Sequence, residues 1–210
     1  MTMTMMPTAT DPDLRLRAGA LIAGGVLFAV GNALHPLEHS EAAEQSATWG
    51  AAHLTFSAGA ILMAVGLPVV FAAWRDRNDW PTKVSAVARV LLFVGLTVAI
   101  PVGAYHEIYV APRLSHHEQS AIEEAALPVN GPLAAAFLLG FILLAVCALA
   151  APRPLLGRGS AVALILAVVA MAGAEGLPGA EGWWIIPGTI AVGLVLALGG
   201  FRALRLPARR

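Results

Sequence analysis

Residues 131–151, GPLAAAFLLGFILLAVCALAA, carry no charged, amide or hydroxyl side chain over 21 positions. At about 1.5 Å per residue, such a run forms a helix roughly 31 Å long, close to the thickness of the hydrocarbon layer of a bilayer. In lipid no water is present to satisfy backbone N–H and C=O groups, so an apolar run of this length has to be helical. Five other stretches share its character: 18–36, 50–74, 84–108, 160–177 and 182–202. The chain is therefore expected to be all-α, a polytopic membrane bundle of six transmembrane helices.

Composition agrees. Of 210 residues 58% are hydrophobic and 12% charged, with mean hydropathy +0.75, against about 45–50% apolar and about 25% charged in soluble domains. Little sequence remains for a second domain. Residues 1–13 read as a disordered cytoplasmic tail and 14–210 as a single transmembrane domain. The apolar run after Arg15 and Arg17 is longer than the core of a secretory signal, so it is expected to stay as the first span.

The basic residues are shared unevenly. Arg15, Arg17, Arg75, Arg77, Lys83, Arg89, Arg153, Arg158, Arg202, Arg205, Arg209 and Arg210, twelve of the 13, fall on the side of the N-terminus, and Arg113 alone lies opposite. The positive-inside rule then puts both termini in the cytoplasm and the opposite face outside, in a plasma or inner cell membrane. Trp74 and Trp80 read as an inner aromatic belt, and Trp49, Trp183 and Trp184 as an outer one. Zero formal net charge gives no reason to expect nucleic acid as a partner; the expected partners are the bilayer and other membrane subunits. One cysteine, Cys147, excludes an intrachain disulfide and reads as a packing residue.

The connections on the outer side are 37–49, 109–129 and 178–181. Short surface helices are expected near 40–48 and 116–126, lying over the mouth of the bundle. The second begins at a capping box, Ser115-x-x-Glu118, and ends at Pro128. Kinks are expected at Pro68, Pro101 and Pro187.

All six histidines belong to this outer face: His35, His39, His53, His106, His116 and His117. The outward-going helices end alike, at Leu34-His35-Pro36, Tyr105-His106-Glu107 and Ala174-Glu175-Gly176. From Arg17 to His35 is roughly 27 Å of helix, from Arg89 to His106 roughly 26 Å and from Ser160 to Glu175 roughly 23 Å. With His53 one turn inside Trp49, this puts His35, His53, His106 and Glu175 at a similar depth on four helices. His39, Glu107 and Asn32 stand close behind them, with Ser57 one turn below His53. Ionisable groups inside a span usually face the bundle interior and mark a site. Imidazole with carboxylate suits zinc or copper, and two histidines on facing helices suit haem b. The same residues also fit the entry site of a transporter or proton-coupled carrier, an acid–base or metal site acting on a lipid-like substrate, or a non-catalytic assembly partner whose histidines only meet the interface. His116 and His117 read as a solvated helix start. No Gly-x-Ser-x-Gly, phosphate loop, dinucleotide fingerprint or His-Glu-x-x-His occurs.

Overall fold

A computed structural model of the chain describes residues 12–37, 40–74, 79–151, 155–174 and 181–205, with the side chains of residues 41, 73, 116 and 181 outside the description. Among the described residues the only regular structure is helical, with α1 (Pro12–Leu34), α2 (Glu41–Glu44), α3 (Ala47–Gly66), α4 (Pro68–Phe71), α5 (Trp80–Val94), α6 (Ile100–Tyr105), α7 (His116–Ala150), α8 (Gly157–Ala174) and α9 (Glu181–Leu204). Six helical stretches are long and apolar enough to cross a membrane: Pro12–Leu34, Ala47–Phe71, Trp80–Arg113, His117–Ala150, Gly157–Ala174 and Gly182–Leu204. Each packs on its neighbour in sequence, and α9 returns to α1, so the spans close into a ring.

Glycine lets α1 sit deep in this ring. On one face a Cβ at Gly24 would stand 2.5 Å from the Met63 backbone nitrogen, and one at Gly31 would stand 2.4 Å from that of Phe56. On the other face a Cβ at Gly25 would stand 2.3 Å from the Gly193 carbonyl oxygen. Helices touch backbone to backbone at these points, the contact that small residues permit in apolar surroundings. Above and below, Leu21, Phe28, Met63, Leu92, Leu96, Phe141, Leu144, Leu164 and Leu196 fill the ring and are at most 1% exposed. Cys147 belongs to this core, its thiol donating to the Pro81 carbonyl at 3.4 Å.

Several expectations are corrected. Helix α1 begins at Pro12, so Pro12 and Asp13 are helical rather than tail; residues 1–11 lie outside the description. The surface helix expected at 116–126 is not separate. It is the start of α7, which runs unbroken through Pro128 and Pro132. Each proline removes one backbone donor and frees the carbonyl four residues earlier. Those carbonyls belong to Glu124 and Pro128, both exposed residues at the surface of the bundle rather than in its packed core. The Ser115–Glu118 capping box is present at the start of this helix. The expected helix near 40–48 is one turn, α2, after which Ala47 opens α3.

Proline acts elsewhere by different means. Pro68 splits the second span at Leu67, after which α4 and a 3-10 turn, Ala72–Trp74, finish it. In the third span a π-helical segment, Gly95–Ala99, stands just before Pro101, and a second, His106–Val110, just before Pro112. The Ile100 N–H reaches back to the Gly95 carbonyl, and the Ala111 N–H to that of His106. Such widened turns accommodate a residue that cannot make the ordinary helical bond. Pro187 lies inside α9, which continues past it.

Asp79 starts the third span by accepting from the Thr82 N–H at 3.2 Å and from its hydroxyl at 2.7 Å. Asp79→Ala is expected to cost about 1 kcal/mol, lowering Tm by roughly 2–4 °C. A thermal melt of the purified variant checks this; an unchanged Tm would mean the cap contributes nothing.

Candidate functional site

Helix α1 ends at Leu34 and α3 begins at Ala47, and the two helices lie side by side. His35, in the bend after α1, is thereby brought beside His53 of α3, with ring centres 4.9 Å apart and planes inclined by 59°. Trp49 closes the group, 4.8 Å from His35 and 4.6 Å from His53. Phe56 also meets His53, with ring centres 5.0 Å apart and planes inclined by 54°. The α3 members follow helical spacing: Trp49, His53 and Phe56 are four and three residues apart and so share one face. His53 and Trp49 are only 3% and 2% exposed.

Both imidazoles are tied at Nδ1. That of His53 lies 2.9 Å from the Trp49 carbonyl oxygen, and that of His35 lies 2.8 Å from the Pro36 carbonyl oxygen. A carbonyl oxygen accepts and never donates, so Nδ1 carries the proton in each ring. In the neutral form the lone pair then lies on Nε2. Donation from one ring nitrogen to a backbone carbonyl is also how metal-ligating histidines are usually oriented.

His106 and Glu107 open the second π-helical segment. His106 Nδ1 lies 3.3 Å from Glu107 Oε1, and both side chains are one quarter exposed. Successive residues on an ordinary helix point about 100° apart, which is why these two are expected to diverge; here they meet. His106 Nε2 is buried without a hydrogen-bond partner. The Trp49 indole N–H donates to the Glu107 carbonyl at 3.0 Å and so joins this segment to the His35–His53 pair.

Among the predicted site residues, then, His35 and His53 are together, and His106 with Glu107 forms a second pair across Trp49. Glu175 and His39 lie outside the described residues. Among the described residues no three His, Cys, Asp or Glu side chains gather as a metal-ligand group. Asn32 is 7% exposed and donates its amide to the Phe28 carbonyl at 2.8 Å, one turn below His35. The Ser57 hydroxyl, one turn below His53, is buried and unpartnered.

A cavity of about 400 Å³ opens beside the pair, bounded by Asn32, His35, Phe28, Phe56, Ile100 and Thr189 among others. The Thr189 hydroxyl is turned to its own helix, onto the Ile185 and Ile186 carbonyls. Phe28 forms the floor, meeting Phe56 edge-on at 6.2 Å and Phe137 at 6.4 Å. Below it the apolar core is closed.

Sequence reasoning missed Trp49 and Phe56 as part of this site. Trp49 is not the exposed belt residue expected, and neither is Trp74, also 2% exposed. Trp80, Trp183 and Trp184 are at least half exposed, as a belt requires. The signal available was the helical spacing of Trp49, His53 and Phe56. His117 is exposed at the start of α7 and takes no part. Comparison of the chain with protein-family models, with curated proteins and with solved structures finds no match.

Proposed function

We propose that this chain is an integral membrane protein that binds one transition-metal ion, zinc or copper, near the extracytoplasmic surface, through Nε2 of His35 and His53. The six apolar spans support the membrane setting, and the one-sided distribution of arginine supports the orientation. The observation that carries the metal reading is the imidazole pair at 4.9 Å with both Nδ1 atoms held by backbone carbonyls. Metal–nitrogen bonds of about 2.0–2.1 Å to one tetrahedral ion put two imidazole centres about 5 Å apart. Two axial histidines on either side of a haem iron put them about 6 Å apart. The observed spacing therefore favours a bare ion over haem b. Two ligands are too few for zinc, so Glu175, His39 or water completes the set, with Asn32 behind them and the His106–Glu107 pair beyond Trp49.

The test is elemental analysis of the protein purified in detergent, with zinc and copper titrated against a competing chelator. About one ion per chain is expected, with no haem absorption band. His53→Ala is expected to weaken binding by roughly 100-fold or more, since it removes a ligand rather than one of its supports. Metal-free protein that cannot be loaded, or a His53→Ala protein that binds normally, would overturn the reading.

A second reading rests on the cavity: a membrane-embedded enzyme whose His35 and Asn32 meet the head of a lipid-like substrate while Phe28, Phe56 and Ile100 hold its apolar part. An amphiphile that protects the chain thermally only when His35 is intact would favour it. A carrier is disfavoured by the closed core beneath Phe28.

A further inference from the structure

The opposite, arginine-bearing end holds polar groups that the histidine site does not use. Two cavities adjoin there, the smaller between the second and third spans and the larger reaching the first as well. The smaller, about 200 Å³, is bounded by Phe71, Trp74, Thr82 and Ser85 together with Pro68 and Arg89. The larger, about 500 Å³, shares Pro68 and Arg89 and continues past Leu16, Val65, Val90 and Phe93. Those four side chains are at least half exposed, so the larger cavity is an open groove on the outside of the bundle.

Most polar groups at this end are already engaged. The Thr82 hydroxyl lies against the Trp74 carbonyl and the Asp79 carboxylate, at 3.1 and 2.7 Å. The Ser85 hydroxyl donates to the Thr82 carbonyl at 2.8 Å. Arg17 holds Asp13 at 2.8 Å. Among the described side chains that line the two cavities, two donors are left over. The Trp74 indole N–H is buried with no acceptor. Arg89 is exposed and has no carboxylate or carbonyl partner among the described residues. Arg89 also lies nine residues beyond Trp80, about 14 Å along the span. The long apolar run lies beyond it, about 26 Å from Arg89 to His106, so Arg89 stands at the inner boundary of the span, the level at which an arginine side chain meets lipid headgroups.

We propose that the two cavities together bind one anionic phospholipid of the leaflet at this end. Its phosphate meets the Arg89 guanidinium at the mouth of the smaller cavity, with the Trp74 N–H as a further donor. One acyl chain runs along the groove of Leu16, Val65, Val90 and Phe93. Guanidinium matches phosphate oxygens two at a time, which lysine does not. The groove is apolar apart from its rim, where Arg17 neutralises Asp13 and leaves the Arg89 charge for the head of a lipid whose tails are apolar.

The test uses the full chain in detergent, with thermal stability and native mass spectrometry as readouts. The probes are phosphatidylglycerol, phosphatidylcholine, diacylglycerol and inorganic phosphate. Phosphatidylglycerol is expected to stabilise the protein and remain bound as one molecule per chain, with the other three weaker. Arg89→Gln is expected to weaken phosphatidylglycerol binding about tenfold, from loss of the guanidinium–phosphate contact, and Trp74→Phe about threefold, from loss of a single N–H donor to the phosphate. Arg15→Gln, at the same end but outside both cavities, leaves binding unchanged. Equal stabilisation by inorganic phosphate would reassign the site to a free anion, and equal stabilisation by diacylglycerol would reduce it to an apolar groove. Undiminished binding in Arg89→Gln overturns the proposal. If that variant does not fold, undiminished binding in Trp74→Phe together with equal retention of phosphatidylcholine does so instead.

Discussion

Gly25→Leu is expected to abolish folding of the bundle, and Gly25→Ala to lower its stability measurably. Gly25 faces Gly193 across the α1–α9 contact, where a Cβ on Gly25 would come within 2.3 Å of the Gly193 carbonyl oxygen and 2.8 Å of the Ala197 backbone nitrogen. A Cβ on Gly193 would in turn stand 2.5 Å from the Gly25 carbonyl oxygen. Both neighbours are backbone, so no side chain can swing aside. The helices have to separate, and every apolar contact along α1 and α9 loosens with them. One methyl forced into so tight a contact costs about 1–3 kcal/mol. A leucine demands a displacement that this ring cannot absorb, because α1 is held equally closely on its other face by Gly59 and Gly66. Size-exclusion profiles and thermal melts in detergent check this. Gly19→Ala is the control, since nothing lies within 4 Å of its added Cβ. A Gly25→Leu protein that melts like the wild type would show that the α1–α9 contact is dispensable.

Trp49→Ala is expected to destabilise the chain by about 3–5 kcal/mol, the cost of removing a large buried aromatic side chain. The residue is 2% exposed and touches both imidazoles of the site. Its indole N–H is also the bond that ties α3 to the Glu107 carbonyl. Losing it leaves His35 and His53 without the ring that sets their mutual angle, so metal affinity falls even where the protein still folds. Trp49→Phe keeps most of the packing and loses only the hydrogen bond, a cost of about 1 kcal/mol. Chelator competition and thermal melts on the two variants separate these contributions. A Trp49→Ala protein with both affinity and Tm intact would remove Trp49 from the account.

The candidate site was legible only in part. Histidines in apolar surroundings were visible as residues needing an explanation, and the common depth of His35 and His53 could be counted, from Arg17 for the first and from Trp49 for the second. Trp49 was not legible as a member, because tryptophan at a span boundary is commonly a belt residue. The pairing of His106 with Glu107 was also hidden. On an ordinary helix the two point apart, and they meet where the chain has widened into a π-helical turn before Pro112.

The number and helical character of the spans follow from residue order alone. A segment in lipid has to satisfy its own backbone hydrogen bonds, and that is a property of one helix without its neighbours. The continuity of α7 through Pro128 and Pro132 was a matter of context, since the freed carbonyls belong to exposed residues outside the packed core. Which side chains meet was likewise undecided until the helices were assembled. That depends on rotation and axial register between helices, fixed by backbone contacts at Gly24, Gly25, Gly31 and Gly193 between residues far apart in the chain. Local sequence carries no term for such contacts, so the His35–His53 pair exists only in the folded ring.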